Sequence, residues 1–143
     1  MDPRSDRTFL GVDYGRKRVG LAISDPAGIL ASPLAVLSYR GMDDLAARLS
    51  ELAFEREAVA IVLGLPTRAD GRAGDLAAEI EALAEKLRSR GVAVIFSDES
   101  LTTWEAGRLL GEAGADPRAG RKAKIDAAAA AVMLQSFLED LDR

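Results

Sequence analysis

Four acidic residues stand where acids are costly, and their positions suggest metal-assisted chemistry. Asp13 interrupts the apolar run Thr8–Gly15, which reads as a strand ended by Gly15. It shares a strand face with Phe9 and Gly11. A buried ionised carboxylate must be paired or bound to a metal, and a salt bridge to Arg16 or Lys17 would also satisfy it. Asp98 and Glu99 close a second apolar run, at the strand end where open α/β sheets bind ligands. Neighbouring strand residues point apart, so one acid can face a site while the other caps the next helix. Parity alone does not choose between them. Asp126 shares a helical face with Ala129, Ala130, Met133 and Phe137, a stripe that faces a core. An acid that only complements the helix dipole does not need that apolar face. One acid within a strand, one at a strand end and one at a core-facing helix start can converge over one sheet edge. Like charges gathered there repel, and a divalent ion offsets the repulsion.

What is missing narrows the chemistry further. The 143 residues include no histidine and no cysteine. That excludes a Ser-His-Asp triad, a Cys-His pair and a histidine general base, and removes both usual zinc ligands. Carboxylates holding a hard divalent cation are the simplest remaining route. The formal net charge of −4 argues against non-specific nucleic-acid binding. The bases are nevertheless gathered in loops: Arg16, Lys17 and Arg18, then Arg68 and Arg72, then Arg118, Arg121, Lys122 and Lys124. Such patches can hold phosphate on an acidic protein, with a salt-sensitive affinity.

The elements that must position these groups follow from periodicity. Residues 8–15 and 18–25 read as antiparallel strands around a basic turn, and 31–39 as a third extended run, together a meander. From Met42 to Glu57, Leu45, Leu49 and Leu52 fall on one helical face. Residues 58–66 form a continuous apolar run stopped by Gly-Leu-Pro, the pattern of a strand buried on both faces. A loop at 67–74 precedes a helix striped by Leu76, Ile80, Leu83 and Leu87 and closed at Gly91. Residues 92–100 read as another buried strand. Residues 102–114 read as a helix, with Thr102 and Glu105 spaced as a capping box. A polar loop at 115–124 leads into a terminal helix over 125–141. The predicted order βββ-α-β-α-β-α-α implies one mixed sheet with helices on both faces. Residues 1–8 are expected to be a flexible tail and 9–143 a single domain.

Four segments together carry a resemblance: "LGVDYGRKRVGLAISD", "IVLGLPTRADGRAG", "DESLTTWEA" and "KIDAAAAAVMLQ". In this order they resemble the YqgF/RuvX family of bacterial RNase H-like nucleases, from about Leu10 to Gln135. The resemblance implies an RNase H-like α/β fold, with a mixed five-stranded sheet whose first three strands are antiparallel. It implies a metal-dependent acidic triad of Asp13, Glu99 and Asp126, and so favours Glu99 over Asp98. It implies hydrolysis of phosphodiester bonds, with Asp13 bridging one or two Mg²⁺ or Mn²⁺ ions and Glu99 and Asp126 completing their shells. Arg16, Lys17, Arg18, Arg121, Lys122 and Lys124 would hold the nucleic-acid backbone. Ser100 stands where the family commonly has Arg, which removes one phosphate contact.

The family is linked both to trimming the 5′ end of the precursor of 16S rRNA and to resolving Holliday junctions. The first is the expected role here and the second its alternative. Junction resolution calls for a two-fold dimer, and the sequence leaves monomer and homodimer equally open. Two other classes compete. An actin-like ATPase lobe also places an Asp-x-Gly hairpin on nucleotide phosphates, but only one such hairpin is present, and ATP turnover would identify it. A non-catalytic ribosome- or transcription-binding module would be expected to lack one of the acids. The Gly-rich loop at 64–74 lacks the Gly-x-x-x-x-Gly-Lys pattern of a phosphate loop. No apolar run is long enough to span a membrane, and the lack of cysteine makes a reducing cytoplasm the expected location.

Overall fold

A computed structural model describes residues 7–66, 73–99 and 121–141, without the side chains of 73, 98, 99 and 121–125. Five strands, β1 (Phe9–Asp13), β2 (Arg18–Ser24), β3 (Ala31–Ser38), β4 (Ala60–Pro66) and β5 (Val94–Glu99), form one sheet in the order β3-β2-β1-β4-β5. β1 pairs antiparallel with β2, and β2 with β3, while β4 runs parallel to both β1 and β5. This is the mixed sheet expected from the sequence. The described helices are α1 (Met42–Glu55), α2 (Ala73–Ser89) and α3 (Arg121–Leu141). The expected helix at 102–114, the loop at 67–72 and the first six residues of the expected tail lie outside the described residues.

Side-chain alternation divides the sheet into two faces. Leu10, Val12, Val19, Leu21, Ile61 and Leu63 pack with Leu45 and Leu49 of α1 and Ile80, Leu83 and Leu87 of α2. Phe9, Ala22, Ala60 and Val62 point to the other face and meet Ala130, Met133, Leu134 and Phe137 of α3. Phe9 and Phe137 stack edge to face at 5.3 Å between ring centroids. β4 is buried on both faces because it lies between β1 and β5 and between two helical layers. That explains its unbroken apolar run.

The second face is built for close approach. A Cβ added at Gly11 would stand 3.0 Å from Cβ of Leu134. The alanines of α3 meet the sheet from the other side, with Ala127, Ala129 and Ala130 all buried. Little side-chain bulk separates the helix from the sheet, which brings the start of α3 near the ends of β1 and β2.

Several boundaries differ from the expectation. α1 ends at Glu55 rather than Glu57, because Glu57 takes a left-handed φ of 54° and the N–H of Ala58 turns back to the carbonyl of Ala53 at 2.9 Å. β5 is an edge strand rather than a fully buried one, and Ile95 remains 37% exposed. α3 begins at Arg121, so Arg121, Lys122 and Lys124 belong to helix rather than to a polar loop. Arg, Lys and Ala are strong helix formers, and their propensity carries the helix back beyond its apolar stripe.

Candidate active site

Asp13 is the last residue of β1, half-buried at the strand's C-terminal end rather than mid-strand. Its partner across the antiparallel ladder is Gly20 of β2. A Cβ at Gly20 would fall 2.1 Å from the carbonyl oxygen of Asp126, so only glycine lets the α3 backbone lie there. The α3 backbone at Asp126 therefore lies against the β2 residue that pairs with Asp13. Asp126 is the sixth residue of α3, beyond the first turn. The helix dipole acts mainly within that turn and does not account for an acid at this position.

The backbone of β5 runs parallel to β4, with Glu99 as its last residue. Ile95 pairs with Val62, which packs against α3, so Ser97 shares that face of β5. Asp98 pairs with Leu65 and Glu99 with Pro66. The side chains of Asp98 and Glu99 lie outside the described residues. Among the described residues no three metal-ligating side chains assemble.

The basic residues near Asp13 have separate partners. Arg16 does not turn back to Asp13. Its Nε and Nη2 donate to Oε2 of Glu79 on α2, at 2.8 and 2.5 Å, across 63 positions of sequence. The Tyr14 hydroxyl donates to the other oxygen, Oε1, at 2.8 Å. Lys17 is exposed in the bend. Arg18 is the first residue of β2 rather than part of the turn, and its Nε donates to Oδ2 of Asp126 at 2.8 Å. The side chains of Arg121, Lys122 and Lys124, and the whole of Arg68, Arg72, Arg118, Ser100 and Trp104, lie outside the described residues.

The Tyr14–Glu79–Arg16 group fixes the hairpin that carries Asp13 against α2, and it does so in a pH-dependent way. Arg16, and then Tyr14, hold the Glu79 carboxyl below its ordinary range. Burial, and then the bond to Glu79, push the Tyr14 phenol well above its own. A depressed carboxyl stabilises the fold above its unfolded pKa of about 4.3, and that contribution is lost as pH falls through the lower folded value. A raised phenol stabilises below about 10, and that contribution is lost as pH climbs toward the higher folded value. Melting curves of wild type and Glu79→Gln should therefore separate above about pH 5 and draw together below pH 4. Tyr14→Phe should flatten the decline above pH 10. Curves that stay parallel throughout would remove the pH-sensitive part of this clamp.

Residues 7–140 match the model of the RuvX family, described as Holliday junction resolvase. The chain belongs to the RuvX family. A Nocardia farcinica relative named "Putative pre-16S rRNA nuclease" is 41% identical over 147 residues, covering 97% of this chain and 81% of its own. A Mycobacterium leprae relative of the same name is 44% identical over 142 residues, covering 97% of this chain and 76% of its own. Among solved structures, T. thermophilus RuvC in complex with Holliday junction substrate matches with a TM-score of 0.56 at 18% identity, over 94% of this chain and 96% of that one. The Fowlpox virus resolvase, solved with substrate Holliday junction DNA, matches with a TM-score of 0.56 at 12% identity, over 95% and 99%. The fold of this RuvX chain is therefore RNase H-like, as the sequence implied.

The donors offered by the RuvX chain suit a hard cation. Asp13 and Asp126 present carboxylate oxygen only, and Glu99 would add more of the same, a set suited to a hard divalent cation. An aqueous approach remains open, since the Asp126 side chain keeps 28% of its surface exposed. Sequence reasoning passed over Gly20, Tyr14 and Glu79. Gly20 carried a usable signal, because an isolated glycine inside a strand pattern often marks close backbone approach. Glu79 carried none, being one acid among several on a charged helix.

Proposed function

We propose that this chain is a divalent-metal-dependent nuclease that hydrolyses phosphodiester bonds of structured nucleic acid. The observation that carries the reading is the seating of α3 on Gly20, which sets Asp126 beside the end of β1 that holds Asp13. In this reading Asp13, Glu99 and Asp126 are the carboxylate ligands. A bound divalent ion supplies activation of a water and stabilisation of the leaving oxygen. The chain's own residues do the rest. Asp13 and Asp126 fix where the cation sits. The clamp of Tyr14 and Arg16 on Glu79 holds the Asp13 hairpin in place. Exposed Lys17, with Arg18, Arg121, Lys122 and Lys124, draws the phosphate backbone toward the acids.

The favoured substrate is the precursor of 16S rRNA at its 5′ end, supported by the names of relatives more than 40% identical. A four-way DNA junction is the second reading, supported by the description of the family model. Junction cleavage would add the requirement of a two-fold dimer; RNA trimming works equally well from a monomer. No helix among the described residues is long and apolar enough to cross a membrane, and we place the activity in the cytoplasm.

The test is direct comparison of both substrates, with Mg²⁺ and with Mn²⁺. Cleavage is expected to vanish in excess chelator and to return when either ion is restored. Activity that survives chelation would reject the metal-dependent reading. A preference for RNA over the junction, or the reverse, decides the substrate.

A further inference from the structure

Three basic residues follow Asp13, and only Arg18 is described on a carboxylate of the proposed metal site. Arg16 is committed to Glu79 by two N–H donors. Lys17 points into solvent. Arg18 stands two residues before Gly20 on β2, so it shares the face on which α3 is seated. From there its Nε reaches Oδ2 of Asp126 at 2.8 Å. The Asp126 backbone lies against Gly20, the ladder partner of Asp13, so the guanidinium sits on the carboxylate that faces the end of β1. The pair is not sealed in. Its side chains keep 37% and 28% of their surface exposed, so water and ions can reach it.

We propose that Arg18 is the counter-cation of Asp126, exchanged for the divalent ion and thereby released to a substrate phosphate. This rests on the nuclease reading above. The guanidinium and the ion compete for Oδ2 of Asp126, the oxygen that accepts the Arg18 N–H. The planar guanidinium, once freed, matches a phosphate as well as it matches a carboxylate. Arg18 then links two events: it opposes the ion when substrate is absent and holds the backbone when the ion is present. Such coupling is reciprocal, so substrate and ion each favour the other's binding. Arg18 is thus a positioning residue whose partner changes between the two states.

The experiment reads metal binding and the Arg18 side chain without relying on turnover. Mn²⁺ affinity of the full chain is measured by calorimetry for wild type, Arg18→Gln and Arg18→Lys. Losing a partly exposed competitor should tighten Mn²⁺ about fivefold in Arg18→Gln, with Arg18→Lys between the two. In wild type, the Nε–H resonance of Arg18 should be protected from exchange in the metal-free chain and lose that protection as Mg²⁺ is added. Asp126→Asn should remove the protection with no metal present. Unchanged or weaker Mn²⁺ binding in Arg18→Gln, with wild type binding normally, overturns the exchange and leaves the nuclease reading intact. Failure of wild type to bind either ion brings down both. Should Arg18→Gln fail to fold, the wild-type resonance decides alone, and protection that persists at saturating Mg²⁺ overturns the proposal.

Discussion

Asp13→Asn should lower cleavage by about a thousandfold or more while the protein melts within a few degrees of wild type. Asparagine keeps the shape of aspartate and one of its acceptors, so the half-buried end of β1 still packs. What it loses is charge, and a neutral amide is a poor ligand for a hard divalent ion. Folding should suffer little, because the half-buried side chain keeps its size and shape. The same substitution should weaken Mn²⁺ binding, which separates a lost ligand from a lost general base. Cleavage and melting are measured on the same preparation. Wild-type cleavage by this variant would end the assignment of Asp13 to the metal site.

The second large effect comes from a residue with no functional group. Gly20→Ala places a methyl 2.1 Å from the Asp126 carbonyl oxygen and 2.5 Å from its carbon. Both atoms belong to the backbone of a long helix, so no side chain can swing aside. α3 must retreat by more than an ångström or the sheet must bend. Over-packing of this kind costs about 3 kcal/mol, or about 10 °C in melting temperature for a chain of this size. Activity should fall further than stability predicts, because the helix that retreats carries Asp126. Gly74→Ala is the control. Gly74 lies in α2 with nothing within 4 Å of its added Cβ, so alanine there should be neutral or slightly stabilising. Equal behaviour of the two variants would show that α3 does not depend on the gap at Gly20.

Elements with a strong hydrophobic period are legible in the residue pattern itself. The stripes Leu45–Leu49 and Ile80–Leu83–Leu87 and the unbroken run of β4 all pack where the sequence placed them. The stripe of α3 also faces the sheet as expected, with Met133 and Ala130 fully buried. Boundaries are less legible, because the start of α3 at Arg121 rests on helix propensity with no apolar residue to mark it. The pairing of charges is not legible at all. Arg16 finds Glu79 across 63 positions and Arg18 finds Asp126 across 108. Local spacing offers Asp13 as the partner of Arg16, yet the hairpin turns Arg16 toward α2 instead. Such partnerships are decided by how sheets and helices stack, information that a one-dimensional pattern of charges does not contain.

The seating of α3 on the first hairpin also bears on synthesis. Ribosomes make β1 and β2 early and α3 about a hundred residues later. Until that helix emerges, a nascent polypeptide has Asp13 without Asp126, and its Phe9, Ala22 and Val62 surface lies bare. Burial of that surface and the arrival of Asp126 beside the end of β1 are one event, so under the proposed reading a chain still being made would hold no finished cation site.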